Sequence, residues 1–199
     1  MLVALDTNIV DLVVDACASV DHVEAMEAME SPPPFRLMPR QLEAEVFSMF
    51  WILALAPVWR SVVYTFSDAV YRELAAAGQA SMLVRAAVDV LVRDEQEEQY
   101  RVPDRRWWPA ATDVEALGIK WADAEHIADA IGVGADRFLT NDTRLRKRSD
   151  AISGRWGLVL RRPSEYLVEA VRAQAPWTTN APWPWESLER IAIGAATDS

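Results

Sequence analysis

Apolar and polar positions along the chain alternate between two periods. LVAL at residues 2–5 is an unbroken apolar run ended by Asp6, which predicts a short strand buried on both faces. TNIVDLVVDA then reads as a helix, HVEAMEAME as a second, and residues 41–56 as a third, strongly apolar one. SPPP at residues 31–34 separates the last two, because proline cannot continue a helix. VVYTF at residues 62–66 is β-branched and aromatic and predicts a second strand. Ser67 or Asp68 can cap the helix AVYRELAAA that follows, and Gly78 can close it. Another helix covers residues 80–93, and the polar, then Trp/Pro-rich stretch of residues 93–109 reads as a connector.

WADAEHIADAIGVG at residues 121–134 predicts a helix with Asp123 in its first turn and Gly132 or Gly134 at its end. RFLT (137–140) and GLVL (157–160) predict the third and fourth strands, and a helix runs from Pro163 through Val171. Strands separated by helices imply an α/β layered fold with a mainly parallel sheet. We expect one domain over residues 1–172 and an irregular Trp/Pro-rich tail over 173–199 that packs on the domain or on a partner. Sites in such sheets form at the carboxyl ends of the strands, where Asp6 and Asp142 stand.

Composition narrows the class. The 199 residues are 51% hydrophobic and 25% charged, ordinary values for a globular chain large enough to bury a core. Cys17 is the single cysteine, so an internal disulfide is excluded, and MLVALDTN lacks the basic start of a signal peptide. Both point to a cytoplasmic protein. The most apolar stretch, residues 46–59, is too short for a bilayer and contains Pro57, so no membrane association is expected. The formal net charge of -10 argues against indiscriminate nucleic-acid binding, but the charge is segregated. Residues 1–30 hold seven acids and no Lys or Arg, whereas residues 143–162 hold seven bases and one acid.

Carboxylates gathered at strand ends repel one another, and a divalent cation would compensate them. Hard oxygen donors suit Mg²⁺ or Mn²⁺, which can activate water and assist displacement at phosphorus. LDTN at residues 5–8, together with DAEHIADAIGVGADRFLTND at residues 123–142, resembles the PIN domain. That family of metal-dependent nucleases includes the VapC-type toxins of bacterial toxin–antitoxin pairs. The resemblance covers residues 1–169 and implies a three-layer fold, a small parallel sheet flanked by helices, with the helical part enlarged here.

The resemblance further implies an endoribonuclease that uses Mg²⁺ or Mn²⁺ on RNA. Asp6, Asp123 and Asp142 match the family's metal-holding acids. Asn8, Thr140 and Asn141 match polar positions that shape the pocket. For the remaining acid, Glu73 follows the clearer strand and the capping Ser67, while Glu45 or Glu43 follows a poorer strand; Glu73 is preferred. An antitoxin protein and a second copy of the chain are the candidate partners. A catalytically silent PIN scaffold that binds RNA or protein is the alternative.

The remaining features have plainer readings beside the functional ones. Arg144, Arg146, Lys147 and Arg148 are either a solvated helix face or contacts to RNA phosphates, and Arg161 and Arg162 can extend that surface. The plainer readings of Asp6 and Asp142 are a turn residue and a helix cap, and the metal-site reading is preferred to both. Asp129 falls on another helix face from Asp123. His126, at i+3 from Asp123, is read as packed or hydrogen-bonded rather than catalytic. His22 is expected to face solvent and Cys17 to be a small core residue. Arg105, Arg106, Trp107 and Trp108 suggest stacking with charge, or a packing anchor. Trp177, Trp183 and Trp185 suggest packing on the domain or a partner contact.

Overall fold

The computed structural model describes residues 1–10, 12, 44–46, 48, 49, 51, 52, 62–76 and 108–178. In chain order its elements are β1 (Leu2–Leu5), β2 (Val63–Phe66), α1 (Asp68–Ala76), α2 (Trp108–Glu115), α3 (Trp121–Gly132), β3 (Arg137–Leu139), α4 (Thr143–Arg146), α5 (Ser149–Trp156), β4 (Val159–Arg161) and α6 (Pro163–Thr178). The four strands form one parallel sheet in the order β2-β1-β3-β4. The fold is therefore α/β, as expected.

β1 is an inner strand and has no polar residue to expose. It pairs Leu2 with Val63 and Leu5 with Phe66 on one side, and Ala4 with Phe138 on the other. One face of the sheet, formed by Leu2, Ala4, Phe138 and Leu160, packs with Val114, Ala124, Ile127, Leu145 and Ile152 from α2 to α5. Each fully buried Leu, Ile or Phe contributes about 1.5–3 kcal/mol. Val3, Leu5, Tyr64, Phe66 and Leu139, on the other face, are buried too.

The strand order reverses direction between β1 and β3. The connections that leave their carboxyl ends diverge there, so a crevice opens at that point of the sheet. Asp6 follows β1 and Thr140 follows β3 across this crevice, and the Asp6 N–H donates to the Leu139 carbonyl at 3.0 Å.

α3 ends in a pair of bonds that only a left-handed residue allows. The Ala135 N–H reaches the Ala130 carbonyl and the Gly134 N–H reaches that of Ile131, with Gly134 at φ 73°. Of the two glycines suggested by the sequence, Gly134 makes the stop and Gly132 is the last helical residue. Ser67 caps α1, its hydroxyl accepting from Val70 N–H at 3.2 Å.

Two readings of the sequence need correction, and one helix is added to them. Trp108 and Pro109 open helix α2 rather than lie in a connector, since a proline is tolerated in a first turn whose N–H groups have no helical acceptor. Residues 149–156 form α5, which buries only Ile152 and so lacks a readable apolar stripe. Gly157 caps that helix at φ 77°, which shifts β4 to residues 159–161.

The chain divides into two compact units, one of residues 1–11 and 60–161, the other of residues 12–59 and 162–199. α6 crosses the expected boundary at 172/173 and continues to Thr178. Cys17, His22, Glu43, Arg105, Arg106, Trp107, Trp183 and Trp185, the side chain of Trp177, and the helices expected over residues 22–30 and 80–93 lie outside the described residues.

Candidate active site

The first unit gathers polar side chains at the crevice. Asp6 is only 6% exposed, yet three donors reach its carboxylate. Oδ1 accepts from Thr7 N–H at 2.8 Å; Oδ2 accepts from Asn8 Nδ2 and from the Thr140 hydroxyl, both at 2.6 Å. The Thr140 oxygen in turn accepts from Asp142 N–H at 3.0 Å and from Asn8 Nδ2 at 3.3 Å. Asn8 Oδ1 accepts from Asn141 N–H at 3.0 Å. Asp6, Asn8, Thr140 and Asn141 thus form one network that sews the end of β1 to the end of β3.

Asp142 is the N-cap of α4, with Oδ1 accepting from Arg144 N–H at 2.6 Å and Leu145 N–H at 3.4 Å. Both cap bonds go to Oδ1, which leaves Oδ2 for another partner. The cap reading and the site reading of Asp142 are therefore compatible. Asp123 lies in the first turn of α3, half-buried.

The electrostatics link these acids. Burial raises the Asp6 carboxyl above its ordinary range; the Thr140 bond and any positive charge on His126 oppose this, and the charge of Asp123 adds to it. Burial also raises the Asp123 carboxyl, the charge of Asp142 raises it further, Glu73 adds to this, and His126 and Lys120 oppose it. Asp6, Asp123 and Asp142 thus form a row of carboxylates in which Asp123 repels Asp6 and is repelled by Asp142.

Glu73, on α1, joins the row through intermediaries. Its Oε2 accepts from the Thr7 hydroxyl at 2.5 Å, and its Oε1 lies 3.0 Å from His126 Nε2. Burial disfavours its ionised form, but the Thr7 and His126 contacts outweigh that and hold its carboxyl below the ordinary range.

Glu45 belongs to the other unit, where it has a structural task. Its oxygens accept from the N–H of Ser164 at 2.9 Å and from its hydroxyl at 2.8 Å, capping the start of α6. Burial raises its carboxyl above the ordinary range, against the Ser164 bonds and the charge of Arg162.

The bases after Asp142 are divided by helix geometry. Arg144, Lys147 and Arg148 are exposed, while Arg146 is half-buried. Arg161 is half-buried at the end of β4, and Arg162 sits in the second unit within 4.0 Å of Glu45. The sequence alone assigns Thr7 no role and makes His126 a packed or hydrogen-bonded residue. His126 is indeed buried and bonded, and its partners are Ser67 and Glu73. The i, i+3 spacing from Asp123 was the available signal, since it puts both on one side of α3.

Among the described residues no three His, Cys, Asp or Glu side chains converge closely enough to form a ready-made cation cage. The donor set nonetheless suits a hard cation held partly through water. Two of its carboxyls are raised by burial and repulsion, and the buried Oδ1 of Asn141 lacks a hydrogen-bond donor. No protein-family model matches the chain, and neither a curated protein nor a solved structure is significantly similar to it.

Proposed function

We propose that the chain is a PIN-type endoribonuclease that hydrolyses RNA phosphodiesters with Mg²⁺ or Mn²⁺. The observation that supports this reading best is the repelling row of Asp6, Asp123 and Asp142 at the point where the strand order reverses. Such a row costs stability unless a cation relieves it, and a site under that strain suggests a task other than folding.

Asp6, Asp123 and Asp142 would hold the cation, with Glu73 within reach through water. A bound divalent cation supplies Lewis acidity toward a phosphoryl oxygen and lowers the pKa of a water. Thr140, Asn8 and Thr7 N–H fix the rotamer of Asp6, so its carboxylate needs no reordering when substrate arrives. Asp142 faces the same task while its Oδ1 anchors α4. Arg144, Lys147 and Arg148, exposed just beyond it, would neutralise phosphates on either side of the one being cut, positioning RNA without reading its sequence. The toxin half of a cytoplasmic toxin–antitoxin pair, bound by its antitoxin or by a second copy, is the biological setting that this reading favours.

One observation favours a catalytically silent PIN scaffold instead: both oxygens of Glu73 are engaged by the chain's own donors. Incubating single-stranded RNA with the protein and Mg²⁺ or Mn²⁺ separates the two. The nuclease reading expects metal-dependent fragments that vanish in Asp6→Asn and Asp142→Asn. Binding without cleavage under either metal would leave the scaffold, and equal cleavage by both variants would discard the assigned site.

A further inference from the structure

His126 sits at the centre of a relay that crosses three elements. It is 3% exposed on α3; Nδ1 lies 3.2 Å from Ser67 Oγ and Nε2 lies 3.0 Å from Glu73 Oε1. Glu73 Oε2 accepts from Thr7, which follows β1. The protons can be placed by elimination. An ionised Glu73 has none to give, so a neutral ring must carry its proton on Nε2; a lone pair there would face the carboxylate oxygen. Nδ1 is then an acceptor, and the Ser67 hydroxyl must donate to it. The Ser67 oxygen keeps a lone pair for Val70 N–H, so capping α1 and supplying His126 do not compete.

Glu73 is 44% exposed and its side chain has several free torsions, so without this relay it would sample many rotamers. We propose that His126 is a positioning residue: its Nε2–H holds the Glu73 carboxylate at the crevice, and Ser67 holds the ring from its other nitrogen. The proposal rests on the nuclease reading for its catalytic consequence but not for its geometry. A buried histidine linking α3, which bears Asp123, to α1, which bears Glu73, also keeps these two acids in fixed relation.

Two measurements test it. Long-range ¹H–¹⁵N spectra of the metal-free, full-length chain report the tautomer directly. The chain has two histidines, and His22→Gln assigns the pair. The Nε2–H form is expected for His126, and Glu73→Gln, whose amide can meet either tautomer, should convert it to a tautomer mixture. An Nδ1–H form, which leaves no proton facing Glu73, would overturn the proposal.

The second measurement is a kcat and KM comparison on single-stranded RNA with Mn²⁺. His126→Gln places an amide N–H where Nε2 was and should stay within about threefold of the parent, while His126→Asn loses it and should drop kcat by tenfold or more at similar KM. Equal kcat in the two variants, with matched melting temperatures, would also overturn it. If the parent cleaves no RNA with any metal, the nuclease reading falls and the tautomer alone decides the positioning role.

Discussion

The hydroxyl of Thr140 donates to the buried Oδ2 of Asp6 at 2.6 Å, across 134 positions of sequence. This bond joins the ends of β1 and β3 and orders the acid at the floor of the crevice. A neutral donor does this without cancelling the charge. Asp6 therefore stays repelled by Asp123 and available to a cation.

Replacing Thr140 by valine keeps the shape and removes the donor. It also strips the acceptor used by Asp142 N–H. Loss of a hydrogen bond to a charged group costs about 1.5–3 kcal/mol, so urea unfolding at neutral pH should show a loss of about 2 kcal/mol. A variant as stable as the parent would mean that Asp6 is not ionised in this network.

Asp123→Asn should stabilise the protein when no cation is present. The folded Asp123 carboxyl is raised, so its contribution to stability is present at low pH and is lost as pH rises through the folded value. Asparagine removes that loss. Metal-free thermal melts should place Asp123→Asn above the parent at pH 8, with the gap closing as the pH drops below the carboxylate range. Mn²⁺ should reverse the order at pH 8, because a ligand at a hundredfold its Kd adds about 2.7 kcal/mol to a chain that binds it.

Glu45→Ala should damage the fold and spare cleavage. It leaves the buried N–H and hydroxyl of Ser164 without an acceptor, a cost of about 1–3 kcal/mol for each unsatisfied group. Chemical denaturation would register the loss. RNA cleavage below the melting range should match the parent, in contrast to Glu73→Ala.

Arg144, Lys147 and Arg148 changed together to alanine should weaken RNA binding alike for all sequences. For a single strand, every phosphate that no longer meets a base flattens the slope of log K against log salt by about 0.7. Anisotropy of a labelled single-stranded oligonucleotide, titrated from low to high salt in Asp6→Asn protein, measures this without cleavage. An unchanged slope would return these bases to a solvated surface.

Much of the frame was legible in the chain. β1 matches LVAL because an apolar run between polar ends is a local signal, and the stop at Gly134 needs only a residue that tolerates positive φ. Asp6 and Asp142 were found at strand ends for the same reason. Helix α5 escaped because a helix that buries one side chain leaves almost no periodic trace, and α2 because its proline occupies a position where proline does no harm.

The sequence preferred Glu73 to Glu45 only on the clarity of the strand before it and its explicit cap. Both lie in helices beside apolar runs, so local pattern ranks them without showing what either does. What separates them is which donors fold against them: Ser164 for one, Thr7 and His126 for the other. His126 was likewise ambiguous until α1 and α3 were brought together. Sequence by itself determined the strands, helices α1, α3 and α6 and the acids at strand ends, because those depend on neighbours a few residues away. Tertiary structure decided the strand order, the Thr140–Asp6 bond and the relay from Ser67 to Glu73. Those contacts join residues many positions apart, and their energy exists only once the sheet has set which strand ends lie side by side.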